Sequence, residues 1–82
     1  MKKFEFTTHA QSMMIERNIA PEWITQTIAD PLITETREDG TLHYLKPISG
    51  HEGRILRVVT NQESQPPRII TVFFDRRARR KS

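Results

Sequence analysis

The second half of the chain contains a strand-like run that is apolar on both of its faces. Along residues 68–74, side chains are expected to alternate between the two faces of a strand. One face would carry Ile70, Val72 and Phe74, and the other would carry Ile69, Thr71 and Phe73. A strand of this kind is normally central in a sheet, with both faces covered. Two short helices can cover one face. The other face then needs a tail helix, another subunit, a partner or a bound polymer.

The first helix is predicted from a capping signal. Thr8 can act as the N-cap, and Gln11, three positions later, completes a capping box. The helix is predicted over residues 9–17, and Asn18 is well placed to stop it.

A second helix and several strands complete the predicted domain. Pro21 suits the first turn of a helix that ends at Asp30-Pro31, because the residue before a proline is pushed out of the α region. Asp39-Gly40 is a strong hairpin signal. The strands are predicted at residues 2–7, 32–37, 41–46, 54–60 and 68–74. The pattern predicts an α+β domain over residues 1–75, with two N-terminal helices packed on a small, mostly antiparallel sheet of four to five strands, and a basic tail over residues 76–82.

Composition narrows the class of protein. The chain has 82 residues and no cysteine, which excludes a disulfide framework or a thiolate metal site. It shows neither a signal-peptide pattern nor an apolar run long enough for a membrane span, so we expect a soluble, cytoplasmic protein. Five of the thirteen basic residues lie between Arg76 and Lys81, a density that fits RNA, DNA or an acidic protein. A solvated tail explains this density equally well.

The first helix carries a candidate base and a candidate cation. His9, Met13 and Arg17 fall at i, i+4 and i+8, on one side of the helix. A helix N-terminus disfavours the imidazolium form, so a neutral His9 can act as a general base. Arg17 can clamp a phosphate. The alternatives are a capping or packing histidine, and an arginine that pairs with Glu16, Glu22 or Asp30.

Arg57 interrupts a predicted core strand. It shares a strand face with Ile55 and Val59, where a cation is costly unless it is paired or faces a groove. Thr71 interrupts the last strand in the same way. Together they indicate one polar spot on a sheet surface, although a structural pair between Arg57 and a carboxylate explains the position as well.

Tyr44 and Lys46 share one face of the preceding strand, and His43 has the other. A tyrosine, a lysine and arginines over a sheet can supply metal-free RNA cleavage, which needs a base, cations for the phosphorane and a proton for the leaving oxygen. Tyr44 can instead stack a base or simply lie at a sheet edge. No closely spaced metal-ligand pair and no glycine-rich phosphate loop occurs, so no metal or cofactor is expected.

The chain resembles a widespread family of small bacterial domains with a His-Ala-x-x-x-Met-x-x-Arg-x-Ile pattern. The resemblance is carried by the string from His9-Ala10 to Arg17-Asn18-Ile19, by Asp30-Pro31, and by the strand Ile69-Ile70-Thr71-Val72. That family in turn is similar to RelE/BrnT-like toxins of toxin–antitoxin pairs. The similarity is clearest at Asn18-Ile19-Ala20 and in the segment that runs from Arg68 to Arg80.

The resemblance implies a RelE/BrnT-like fold and metal-independent ribonuclease activity, with RNA on the sheet and an antitoxin that covers it. It implies a catalytic set of His9, Arg57 and Thr71, and the basic and aromatic positions are candidates for RNA binding: Arg17, Tyr44, Lys46, Arg54, Arg76, Arg77, Arg79 and Arg80. The chain lacks the C-terminal catalytic tyrosine of RelE-like enzymes. The alternative is a catalytically inactive binding or regulatory module for a protein or nucleic acid, or a homodimer that closes its own sheet face.

Overall fold

The computed structural model describes residues 4–49 and 52–76 as an α+β arrangement of two helices and a five-stranded mixed sheet. The elements in chain order are β1 (Glu5–Phe6), α1 (Thr8–Glu16), α2 (Pro21–Ala29), β2 (Ile33–Thr36), β3 (Thr41–Ile48), β4 (Arg54–Asn61) and β5 (Arg68–Phe74). Neither helix is long and apolar enough to cross a membrane, within the residues described. The basic tail predicted over residues 76–82 lies outside them beyond Arg76.

The sheet has the strand order β1-β5-β4-β3-β2, so β4 rather than β5 is its central strand. Neighbouring strands are antiparallel from β2 to β5, whereas the two-residue β1 pairs with β5 in parallel. β5 is also an interior strand, paired on both sides, as its apolar sequence predicts. Its strongly apolar sequence is explained by its position between β1 and β4, beneath the helices.

The hydrophobic core lies between the two helices and one face of the sheet. Ala10 and Ile24 contribute the helix side, and Leu56 and Val58 of β4 lie beneath them at no more than 1 % exposure. Strand side chains alternate between faces, so their neighbours Arg57 and Val59 must point to the opposite face. Neither of the two described helices packs on that opposite surface, which carries Glu35, His43, Arg57, Thr71 and Phe73, and we call it the helix-free face.

A β-bulge changes the alternation of β5. Thr60 pairs with Ile69 while Val59 pairs with Thr71, which leaves Ile70 as the extra residue. Ile69 therefore joins Val72 in the core at 1 % exposure. The prediction that Ile69 lies on the same face as Thr71 was wrong, because strict alternation holds only where the ladder is regular.

The N-terminus of α1 also differs from the prediction. Thr7, not Thr8, is the N-cap: its backbone is extended and its Oγ1 accepts a hydrogen bond from the Ala10 backbone at 3.1 Å. The same hydroxyl lies 3.0 Å from the carbonyl oxygens of Ile69 and Ile70 on β5. The stop at Asn18 is confirmed, because this residue adopts the left-handed conformation (φ 53°) that commonly follows a helix.

Candidate functional site

Arg57 is the buried cation of the helix-free face. It lies in the middle of β4 and is only 8 % exposed, between Leu45 of β3 and Phe73 of β5 in the strand register. A buried guanidinium is costly unless hydrogen-bonded acceptors surround it. The structure provides them from three other segments of the chain.

Three side chains accept hydrogen bonds from Arg57. Its Nε donates to Asp75 Oδ2 at 2.7 Å, just beyond the end of β5. One terminal nitrogen donates to Glu35 Oε1 of β2 at 3.1 Å and lies 2.8 Å from His43 Nδ1 of β3. We call these four residues the Arg57 cluster.

The contacts of His43 define its tautomer. An arginine can only donate, so Nδ1 must accept from Arg57 and the ring proton must sit on Nε2. Nε2 lies 3.1 Å from Thr41 Oγ1, whose hydroxyl in turn donates to Asp39 Oδ1 at 2.6 Å. Burial, and next the positive charges of Arg57 and Arg37, lower the pKa of His43 below its ordinary value. His43 is therefore a neutral imidazole near neutral pH.

Glu35 is the more exposed of the two carboxylates in the cluster. Its Oε1 accepts from Arg57 and also from Arg37 at 2.6 Å, and its side chain is 38 % exposed. The hydrogen bond from Arg57 is the largest influence that lowers the pKa of Glu35, and the charges of both arginines act in the same direction. Glu35 is thus ionised at physiological pH, beside a neutral histidine.

A shallow cavity of about 690 Å³ lies over the Arg57 cluster. Its lining combines three arginines, two carboxylates, one histidine and two phenylalanines: Arg37, Arg57, Arg76, Glu35, Asp75, His43, Phe73 and Phe74. With His43 neutral, the arginines exceed the carboxylates by one positive charge. Such a cavity can hold a phosphate beside a neutral base and an ionised acid.

The three residues predicted as a catalytic set do not come together. Arg57 and Thr71 share the helix-free face, where Thr71 pairs with Val59, two residues along β4 from Arg57. His9 is exposed on α1, which packs on the other side of the sheet. The sheet therefore separates the imidazole of His9 from Arg57.

The residues predicted to bind nucleic acid are also spread over several surfaces. Tyr44 packs against the core, edge to face with Phe4, and Lys46 donates to the backbone oxygen of Asp30 at the end of α2 at 2.8 Å. Arg17 and Arg54 are exposed, and within residues 4–49 and 52–76 Arg17 forms no ion pair. Arg76 lines the cavity, whereas Arg77, Arg79 and Arg80 lie outside the described residues.

The sequence prediction missed Glu35, His43 and Asp75 as partners of Arg57. A signal for two of them was present in the hairpin. The Asp39-Gly40 turn joins Arg37 to Thr41 by a backbone hydrogen bond at 2.9 Å, and this register places Glu35 opposite His43. Asp75 gave no such signal, because its approach to Arg57 depends on how β5 pairs with β4.

Comparison with protein families gives one match. A family model described as "Domain of unknown function (DUF4258)" matches residues 6–74. The chain belongs to the DUF4258 family. The matched span of this DUF4258 domain includes Glu35, His43 and Arg57, and it ends one residue before Asp75. No curated protein and no solved structure matches the chain. Within the described residues of the domain, no group of three or more potential metal ligands is present.

Proposed function

We propose that this DUF4258 domain is a RelE/BrnT-like toxin that cleaves RNA without a metal ion, using the Arg57 cluster rather than His9. One observation supports this most directly: a buried arginine donates to a neutral histidine and to an ionised glutamate on the same face of the sheet. Those three groups provide a cation, a base and a charge that balances the protonated base.

The proposed reaction begins when an RNA phosphate displaces His43 from Arg57. A phosphate oxygen accepts from the terminal nitrogen that now contacts Nδ1, and this frees the Nδ1 lone pair. Nδ1 then takes the proton of the 2′-hydroxyl, and the 2′ oxygen attacks phosphorus. The bond from phosphorus to the 5′ oxygen breaks, and that oxygen takes a proton from solvent. The products are a 2′,3′-cyclic phosphate and a 5′-hydroxyl.

The neighbouring charges stabilise both the phosphorane and the protonated form of His43. Arg57 and Arg37 compensate the charge of the phosphorane, as preorganised donors do in other phosphoryl-transfer sites. The negative charges of Glu35 and Asp39 favour the imidazolium form of His43. They therefore stabilise the proton that His43 has taken.

A RelE/BrnT-like toxin would have its cavity on the sheet face opposite the helices and an antitoxin that covers this face. The two helices lie on one face of the sheet and the charged cavity on the other, as the resemblance to RelE/BrnT-like proteins implies. An antitoxin that covers the helix-free face would block the cavity. Cleavage and its inhibition would then depend on the same surface.

A second candidate function is an inactive binding module, in which the Arg57 cluster has only a structural role. The two ion pairs of Arg57, at 2.7 Å and 3.1 Å, favour this candidate because they already compensate its charge. A partner protein or a second copy would then cover the helix-free face.

The deciding experiment compares His43→Gln with His9→Gln. Purified proteins are incubated with a labelled single-stranded RNA in the presence of a chelator, and the products are resolved by gel and mass spectrometry. We expect His43→Gln to lower the cleavage rate by about 10²–10⁴-fold, the usual contribution of a general base. We expect His9→Gln to cleave like the wild type.

Folding is controlled by urea unfolding of each variant. Loss of cleavage in His9→Gln alone would move the site to α1 and overturn the assignment to the Arg57 cluster. A folded wild type that leaves RNA intact, and whose induced expression does not arrest growth, would leave the inactive binding module.

A further inference from the structure

Phe73 is the aromatic residue of the helix-free face. The structure describes six aromatic residues, and the other five pack on the helix side of the sheet, although Phe74 also contributes to the lining of the cavity: Phe4, Phe6, Trp23, Tyr44 and Phe74. Phe4 and Tyr44 contact each other edge to face, as do Trp23 and Phe74. Phe73 is half-buried and does not belong to the core cluster.

The position of Phe73 relative to Arg57 is fixed by the strand register. The two residues are direct partners across β4 and β5, so their side chains leave the same face about 4.5–5.5 Å apart at Cβ. Both line the cavity of about 690 Å³, a volume within the ordinary range for small-ligand sites. The cavity therefore has a cation and an aromatic ring side by side.

From this pair we infer that the site takes single-stranded RNA, with Phe73 stacking an unpaired base next to the phosphate held by Arg57; this inference rests on the proposed function. Arg57 and Phe73 are neighbours across two strands, so they can contact the phosphate and the base of the same nucleotide. Stacking on an aromatic side chain requires a base that has left its duplex. Paired RNA keeps its bases stacked inside the helix and cannot reach the ring.

Arg76, two residues beyond the end of β5, adds a second cation near Phe73. It is exposed at the rim of the cavity, three residues after Phe73. A cation at this position can contact the next phosphate, since proteins that bind single strands combine stacking rings with a basic path for the backbone. The cavity over the Arg57 cluster, together with Arg76 at its rim, therefore fits more than one nucleotide.

The test measures binding separately from cleavage. The probe is a short fluorescent 2′-O-methyl RNA, in which the attacking hydroxyl is blocked, and binding is followed by anisotropy for Phe73→Leu, Phe73→Tyr and the wild type. Leucine keeps a branched apolar side chain of somewhat smaller volume and removes the ring. The matched control is Phe6→Leu, which removes a ring of 36 % exposure from the helix side.

We expect Phe73→Leu to bind the single-stranded probe about 5- to 150-fold more weakly, which corresponds to the stacking of one base. Phe73→Tyr and Phe6→Leu should bind like the wild type. Annealing the probe to its complement should remove the difference between Phe73→Leu and wild type. Equal binding of the single strand by Phe73→Leu and wild type would overturn the inference.

An all-ribose version of the probe, assayed for cleavage in parallel, distinguishes this inference from the proposed function. Binding that depends on Phe73 without any cleavage would refute the ribonuclease and leave the single-strand site intact. Cleavage at the wild-type rate by Phe73→Leu would refute the stacking role and leave the ribonuclease. Absence of RNA binding by the wild type would refute both.

Discussion

Replacing Arg57 by methionine measures how much the Arg57 cluster contributes to stability. Methionine is similar in length but donates no hydrogen bond, so the change removes the guanidinium from the Asp75 carboxylate, whose side chain is only 13 % exposed. Breaking a buried ion pair by removing one partner costs about 3–5 kcal/mol. We expect Arg57→Met to lower the free energy of unfolding by that amount.

The two carboxylates of the cluster should contribute unequally. The Glu35 side chain is 38 % exposed, so solvent screens its pairing with Arg57 and limits it to about 0.2–1 kcal/mol. Most of the loss should therefore come from Asp75. A domain of 82 residues unfolds with about 4–12 kcal/mol at roughly 0.05–0.15 kcal/mol per residue, so the variant loses a large share of its stability.

Urea unfolding at neutral pH, followed by circular dichroism, gives the midpoint and the slope needed for this comparison. The matched control is Arg68→Met, because Arg68 and Glu5 form a surface pair at 3.5 Å with side chains 59 % and 56 % exposed. The control should change the free energy of unfolding by less than about 0.5 kcal/mol. If both variants shift the midpoint equally, the argument from burial is refuted.

Three further variants test individual elements. Burial and the charge of Arg57 lower the pKa of His43, so just below its ordinary value of about 6.5 the unfolded chain binds more protons than the folded one. The contribution of His43 to the free energy of unfolding is thus fully present above this window and is lost as the pH drops through it. The urea midpoint should therefore change less between pH 5 and 7 in His43→Gln than in the wild type. An equal change of the midpoint with pH in both proteins would contradict this. Thr7→Ala should cost about 1 kcal/mol of unfolding free energy as a lost N-cap, against less than about 0.5 kcal/mol for Thr8→Ala; the reverse order in urea would restore Thr8 as the cap. Gly40→Ala places a Cβ at φ 88° and should cost roughly 1 kcal/mol in thermal unfolding, whereas an unchanged midpoint would exclude that backbone conformation.

Local sequence signals predicted most of the secondary structure. The strand predicted over residues 68–74 matches β5, and the helix predicted at 9–17 is shifted by one residue from α1. The shift has a tertiary cause. Thr7 and Thr8 are equivalent as N-caps by sequence, but Thr7 lies next to the β5 carbonyl oxygens and can serve both elements.

The candidate site was only partly predictable. Arg57 was identified because a cation in an apolar strand needs a partner, which is a local argument. Its three acceptors come from β2, β3 and the end of β5, so they depend on long-range pairing and on the bulge at Ile70. His9 was chosen from its helix position, and that position does not indicate which face of the sheet the helix covers.

The contact of Thr7 with β5 has a consequence for the order of folding. Its hydroxyl contacts carbonyl oxygens 62 and 63 residues away along the chain, and β1 pairs with the same strand. During synthesis the β2–β3 hairpin can close soon after it is made, whereas Thr7 at the start of α1 cannot donate to the carbonyl oxygens of β5 until that strand has been made. Non-local pairing of this kind slows folding because the loop entropy is lost before the contact forms. β1 and the start of α1 therefore reach their final positions only after β5 is in place, and a nascent chain that stops short of Arg68 lacks the strand that they contact.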